Sequence, residues 1–151
     1  MKKNRLKIWA RWIAIIAIIY VAGGVALYFM QDRLLFHPKP LPTTYRYQFD
    51  AVYKELEIAV DEKKTMSIVQ FTVPDSVCKG VVLYFHGNME NINRYAPIAS
   101  GFTRNLFEVW MIDYPGFGKS TGERSEQVMY EDAKRLYRMA RARFSADSIV
   151  I

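Results

Sequence analysis

Two segments carry side chains able to do chemistry. The first is His86-Gly87-Asn88, directly after the apolar run 81–85. The second is Asp113-Tyr114-Pro115-Gly116-Phe117-Gly118-Lys119-Ser120-Thr121-Gly122, directly after the apolar run 109–112. Gly118 to Gly122 matches G-x-S-x-G, the pattern of a serine nucleophile. Such a serine sits on a sharp turn leading straight from a strand into a helix. Ser120 instead lies eight residues beyond Ile112, and the next helical pattern starts near Ser125. A nucleophilic serine also needs a general base, and neither histidine, His37 nor His86, is placed to serve it. Ser120 therefore reads as an imitation of a nucleophile. Gly118-Lys119-Ser120 also suggests a phosphate-binding loop, but that motif needs a glycine where Asp113 stands. Nucleotide binding is excluded on that ground.

The elements around these segments follow from hydrophobic periodicity. Residues 53–60 alternate as a strand, with Leu56, Ile58 and Val60 on one face, and residues 66–73 form a second strand. The charged turn 61–64 joins them as an antiparallel hairpin. Residues 80–85 are almost wholly apolar, as in a parallel strand buried on both faces. A helix is expected over 91–105, with Ile92, Tyr95, Ile98 and Phe102 at helical spacing, then a strand over 108–112. Ser125 is the expected N-cap of a helix over 126–144, whose apolar stripe is Met129, Ala133, Leu136, Ala140 and Phe144. Arg135, Arg138, Arg141 and Arg143 read as its solvated face and C-terminal end. Residues 149–151 open another strand. Strand, loop, helix, strand at this spacing is a βαβ unit of a parallel sheet, and its chemistry belongs where loops leave the carboxyl ends of the strands. Both segments occupy that position.

H-G-N after one strand and D-Y-P-G-F-G-K-S-T-G about 25 residues later resemble the α/β-hydrolase fold family, in particular its membrane-anchored branch of serine-aminopeptidase-like hydrolases. The likeness covers residues 53–151. It implies an α/β fold: a β-hairpin, then parallel strands with crossover helices. It also implies that the loop after the third strand presents a backbone N–H to a developing oxyanion, with Asn88 and Met89 as the candidates. His86, Gly87, Asp113, Tyr114, Gly116 and Gly118 would belong to the loops lining the substrate, His86 as a loop former. Met89-Glu90 departs from the small residue and glycine common after H-G-N in that branch. By the same likeness the reaction is hydrolysis of an ester, thioester or amide through an acyl-serine. The substrate would be a small molecule, lipid or peptide, and no cofactor or metal is implied.

Composition narrows the classes further. The chain has 151 residues and a formal net charge of +6. Five of its 21 basic residues precede position 12, and the remainder balance the 15 acidic ones to within one charge. A nucleic-acid-binding surface would place the basic excess on the folded domain, so nucleic acid is not an expected partner. Cys78 is the single cysteine, which excludes an intrachain disulfide and a cysteine metal site. His37 and His86 are too few and too far apart in sequence to suggest a metal site.

Residues 12–30 contain no charge and match the length of a bilayer-spanning helix. Trp9, Trp12, Tyr20, Tyr28 and Phe29 include aromatics suited to both interfaces. A cleaved signal and a buried core helix are the competing readings, but the apolar run continues past the small residues Ala22-Gly23-Gly24 where a cleavage site would lie. With residues 1–11 as a basic flank, the N-terminus is expected in the cytoplasm and the domain on the outer, periplasmic or extracellular, side of a single-pass anchor. Residues 31–52 read as a proline-rich connector, extended from residue 31, and residues 53–151 as an incomplete hydrolase domain. The resemblance places its nucleophile just after the strand that starts near Ser148, and its acid and histidine later still. The chain thus reads as the N-terminal part of a longer enzyme, inactive alone. The other readings are a non-catalytic membrane-tethered binding module and a nonfunctional remnant.

Overall fold

A computed structural model describes residues 2–151. They fall into two units, Met1–His37 and Pro38–Ile151. The first is one helix, α1 (Lys2–Leu35). Its segment Lys7–Leu35 is 29 residues long and apolar enough to cross a bilayer. At 1.5 Å per residue that is about 43 Å, more than the roughly 30 Å hydrocarbon thickness. The helix runs five residues into the stretch expected to be extended. Phe36 N–H still donates to Asp32 O at 2.9 Å. The prolines explain the stopping point: Pro38 restricts only itself and His37, so nothing disfavours helix through Leu35.

The second unit is an α/β layer structure. Strands β1 (Tyr53–Ala59) and β2 (Thr65–Phe71) form the hairpin, with Tyr53 opposite Phe71 and Ala59 opposite Thr65. Asp61 Oδ1 closes the turn by accepting from the N–H groups of Lys63 and Lys64. Then come β3 (Gly80–Phe85), β4 (Phe107–Ile112) and β5 (Ile149–Val150), and the sheet order is β1-β2-β4-β3-β5. The β2–β4 pair is antiparallel; β3 runs parallel to both β4 and β5.

The helix expected over 91–105 is broken into α2 (Ile92–Tyr95), a 3₁₀ turn (Ala96–Ile98) and α3 (Ala99–Thr103). Pro97 is the cause, because it has no N–H to continue the helical ladder. The tighter turn rotates the buried face. Ile92, Ala96 and Ala99 are buried, whereas Ile98 of the expected stripe is exposed. These residues cover one face of the sheet, packing with Val69, Phe71, Val82, Val109 and Met111. Helix α4 (Glu126–Arg141) starts where expected: the Ser125 side chain accepts from Val128 N–H. It covers the opposite face through Leu136 and Ala140.

Three buried charges on or beside this framework, Glu108, Asp132 and Lys119, had no apolar signal and are each met by a partner. Arg143 reaches Glu108 at 2.8 Å, and Glu108 also accepts from Trp110 Nε1 at 2.9 Å. Arg143 is exposed, as expected of a solvated charge, and also pairs with a fully buried carboxylate on β4. Lys64 meets Asp132 of α4 at 2.6 Å. Lys119 is the third, described with the site.

Candidate functional site

The chain leaves β3 towards α2 on one face and leaves β4 towards α4 on the other. Because β3 and β4 are neighbours, the two connections diverge there and open a topological switch point between the strand ends. In open α/β sheets that crevice is where ligands bind. The H-G-N loop and the D-Y-P-G-F-G-K-S loop flank it, so the fold brings together the two segments singled out by their side chains.

Their exposure differs sharply. Gly87, Asn88 and Met89 are exposed, while residues 113–120 are buried apart from half-buried Gly116. The second loop is therefore a packed scaffold with little surface to offer a ligand. At its centre is Asp113. Its carboxylate accepts from Tyr47 Oη at 3.0 Å and from the Ile92 N–H at 3.0 Å. Its backbone N–H donates to Ser67 O. Gly118 passes so close that an added Cβ would lie 1.8 Å from Asp113 Oδ2, and its φ of +47° is itself unfavourable to side chains.

His86 is buried as well. Its Nδ1–H donates to Gly87 O at 2.7 Å, since a carbonyl can only accept. Its ring lies between aromatic neighbours, Tyr95 at 5.3 Å and nearly parallel and Tyr114 at 4.5 Å. Nε2 lies 3.3 Å from Asp113 Oδ1 but out of line for a hydrogen bond. Tyr114 Oη donates to His86 O at 2.8 Å, and burial pushes the Tyr114 phenol up to about 12. Tyr95 Oη donates to Met89 O at 3.2 Å, and Glu90 takes a left-handed φ of +66°. The shape of the loop after β3 is thus fixed by aromatic side chains of α2 and of the second loop.

Ser120 has no base. Its Oγ donates to Asp113 O at 2.6 Å and accepts from Ser67 N–H at 2.9 Å. Both are backbone groups, and the hydroxyl ties the second loop to β2. Lys119 Nζ meets Glu55 and Glu57 of β1, each at 2.6 Å, and lies over the Tyr47 ring. Burial alone would lower its pKa, but the two carboxylate bonds outweigh that and hold it above the ordinary lysine value. A clue stood in the strand pattern, since Glu55 and Glu57 share one face of β1. Tyr47 was missed because it fell in the stretch assigned to a connector. It is 2% exposed and belongs to the core. Among the described residues no group of three or more His, Cys, Asp or Glu side chains gathers to hold a metal.

Comparison with known proteins gives this geometry its family. The model of the hydrolase family described as serine aminopeptidase, S33, matches residues 76–151. The chain belongs to this family. The matched region runs from the loop before β3 through β5 and includes both loops of the site. The bem46 protein of Schizosaccharomyces pombe is 32% identical over 131 residues, a match covering 80% of this chain and 42% of that protein. The YfhR protein of Escherichia coli K12 is 32% identical over 72 residues, covering 48% of this chain and 25% of that protein. Among solved structures, the Pyrococcus furiosus esterase Pf2001 is similar with a TM-score of 0.51 and 18% identity, over 72% of this chain and 43% of that one. A soluble variant of Saccharomyces cerevisiae monoglyceride lipase is similar with a TM-score of 0.50 and 17% identity, over 72% and 37%. These two share the α/β-hydrolase fold with this chain. The chain spans less than half the length of each of these relatives.

Proposed function

We propose that this hydrolase-family chain is the N-terminal part of a membrane-anchored serine hydrolase that cleaves an ester, thioester or amide through an acyl-serine. The observation that carries the reading is the pair of loops flanking the β3/β4 switch point inside the matched region 76–151. In this reading the loop after β3 contributes one backbone N–H, at Asn88 or Met89, to the oxyanion formed when a serine oxygen attacks the acyl carbon. His86 and Asp113 act through that loop's shape. The serine itself belongs after the carboxyl end of β5, and the acid and histidine follow it. The substrate is an acyl compound among small molecules, lipids or peptides.

The apolar helix supports anchoring, because side chains such as Ile13, Ile16, Ile18 and Phe29 are exposed around it and lipid is the solvent that suits them. The basic residues before it favour a cytoplasmic N-terminus with the domain across the membrane. A fluorophosphonate probe tests the chemistry. The whole protein is labelled at a serine outside residues 1–151, and the 151-residue chain is not. Labelling of Ser120 in either would end this reading. Sidedness is tested by alkaline phosphatase fused after residue 60, which is active in a bacterial host only if that residue lies outside the cytoplasm.

A further inference from the structure

The segment 38–42 reads Pro-Lys-Pro-Leu-Pro. Proline has no N–H, and each residue before a proline is held extended. Only Lys39 and Leu41 therefore offer backbone donors, and both are used. Lys39 N–H donates to Glu90 O at 3.2 Å, in the loop after β3. Leu41 N–H donates to Gly118 O at 2.7 Å, in the loop after β4. The Lys39 carbonyl accepts from both loops at once, from Asn91 Nδ2 at 2.8 Å and from Gly118 N–H at 3.2 Å. A single oxygen thus joins the two sides of the switch point. The Leu41 side chain packs on the core and fixes the segment's position. Lys39 Nζ adds an ion pair to Glu90 at 3.4 Å, but it is largely exposed, and such pairs contribute little.

We infer that residues 38–42 are a positioning strap that sets the loop after β3, including strained Glu90, against the loop after β4. Its catalytic consequence rests on the proposed function: Lys39 and Asn91 are positioning residues that hold the oxyanion loop in shape. The alternating prolines serve the strap in two ways. They preset the extended backbone, so little conformational entropy is lost on docking. They also leave no unused N–H along it.

The test is hydrogen exchange on the full chain in detergent, comparing wild type with Lys39→Pro, which deletes the N–H bonded to Glu90 O. The readout is the amides of residues 113–120, which that lost bond does not touch, with residues 65–71 of β2 as the measure of folding. Exchange at 113–120 at least tenfold faster, with β2 unchanged, is the expected result, and Lys39→Gln, which keeps the N–H and removes the charge, restores wild-type exchange. Unchanged exchange at 113–120 would overturn the strap. If Lys39→Pro fails to fold, Asn91→Ser decides on the same criterion, because a serine oxygen can still cap α2 while the Nδ2 donor to Lys39 O is removed without adding a charge. In the whole enzyme Lys39→Pro and Asn91→Ser should lower kcat for a p-nitrophenyl ester about tenfold with KM within twofold, while Lys39→Gln keeps the wild-type kcat. An unchanged kcat beside accelerated exchange defeats the catalytic role and leaves the strap. A wild type without hydrolysis defeats the proposed function, and the exchange result still stands by itself.

Discussion

Tyr47 donates its hydroxyl to Asp113 Oδ2 at 3.0 Å, 66 residues away in sequence. The Ile92 N–H of α2 donates to the other carboxylate oxygen, Oδ1, so both oxygens of the buried carboxylate are held. Burial first, and the neighbouring Asp113 charge second, push the Tyr47 phenol well above its ordinary pKa, so the hydroxyl stays a donor. Tyr47→Phe keeps the ring and leaves a buried carboxylate oxygen short of its donor. The expected cost is about 2 kcal/mol, within the range for hydrogen bonds to charged groups, read as a fall in urea midpoint at unchanged slope.

Tyr114 gives a pH prediction. Its phenol titrates near 10 when unfolded and is pushed up to about 12 in the fold, chiefly by burial. Above pH 10 the unfolded chain loses this proton and the folded chain keeps it, so stability falls as pH rises. Below pH 10 the group contributes no slope. Two units correspond to about 2–3 kcal/mol lost by pH 12. Tyr114→Phe lacks this component. It is less stable at pH 8, having lost the bond to His86 O, and its deficit against wild type shrinks between pH 10 and 12 in urea titrations. A deficit constant over that range would contradict the account.

Ser120→Ala removes the acceptor for the buried Ser67 N–H and the donor to Asp113 O. Leaving a buried backbone group unpaired costs about 1–3 kcal/mol. The variant should therefore unfold at lower denaturant, while fluorophosphonate labelling of the whole protein stays the same. Stability unmoved and labelling abolished would mean that Ser120 is chemical after all.

What was legible in the sequence tracks how each residue is buried. Strand β3 and the Ser125 cap followed from local chemistry alone, an apolar run and a side-chain oxygen before a helical stripe. The three-way break of the first crossover helix was signalled by Pro97 but outweighed by apolar spacing. The ion pairs of Lys119, Arg143 and Lys64 join residues 35 to 68 positions apart, and no periodicity announces a buried charge whose partner waits on a distant element. The strap was hidden for a related reason. Its prolines rule out regular helix over 38–42, but a proline-rich segment ahead of the first strand looks like a linker until the receiving loops are known.

Gly118 carries the sharpest prediction. Its φ of +47° is left-handed, which costs a non-glycine residue about 1 kcal/mol. The larger obstacle is Asp113, whose Oδ2 would lie 1.8 Å from an alanine Cβ. The carboxylate has no room to yield, because Tyr47 and the Ile92 N–H hold its two oxygens and the side chain is wholly buried. Moving the backbone at Gly118 instead breaks its bonds with Lys39 and Leu41. Gly118→Ala should then cost more than about 3 kcal/mol, the upper range for a single substitution, and give a chain that is folded weakly or not at all. Gly116 has φ of +84°, but the nearest atom to its Cβ position is Arg124 Nη1 at 3.5 Å, an ordinary contact, so Gly116→Ala carries the backbone penalty alone, about 1 kcal/mol. Thermal melts of the two variants side by side check the argument. Equal losses would show that the Asp113 approach does not matter and that only the sign of φ does.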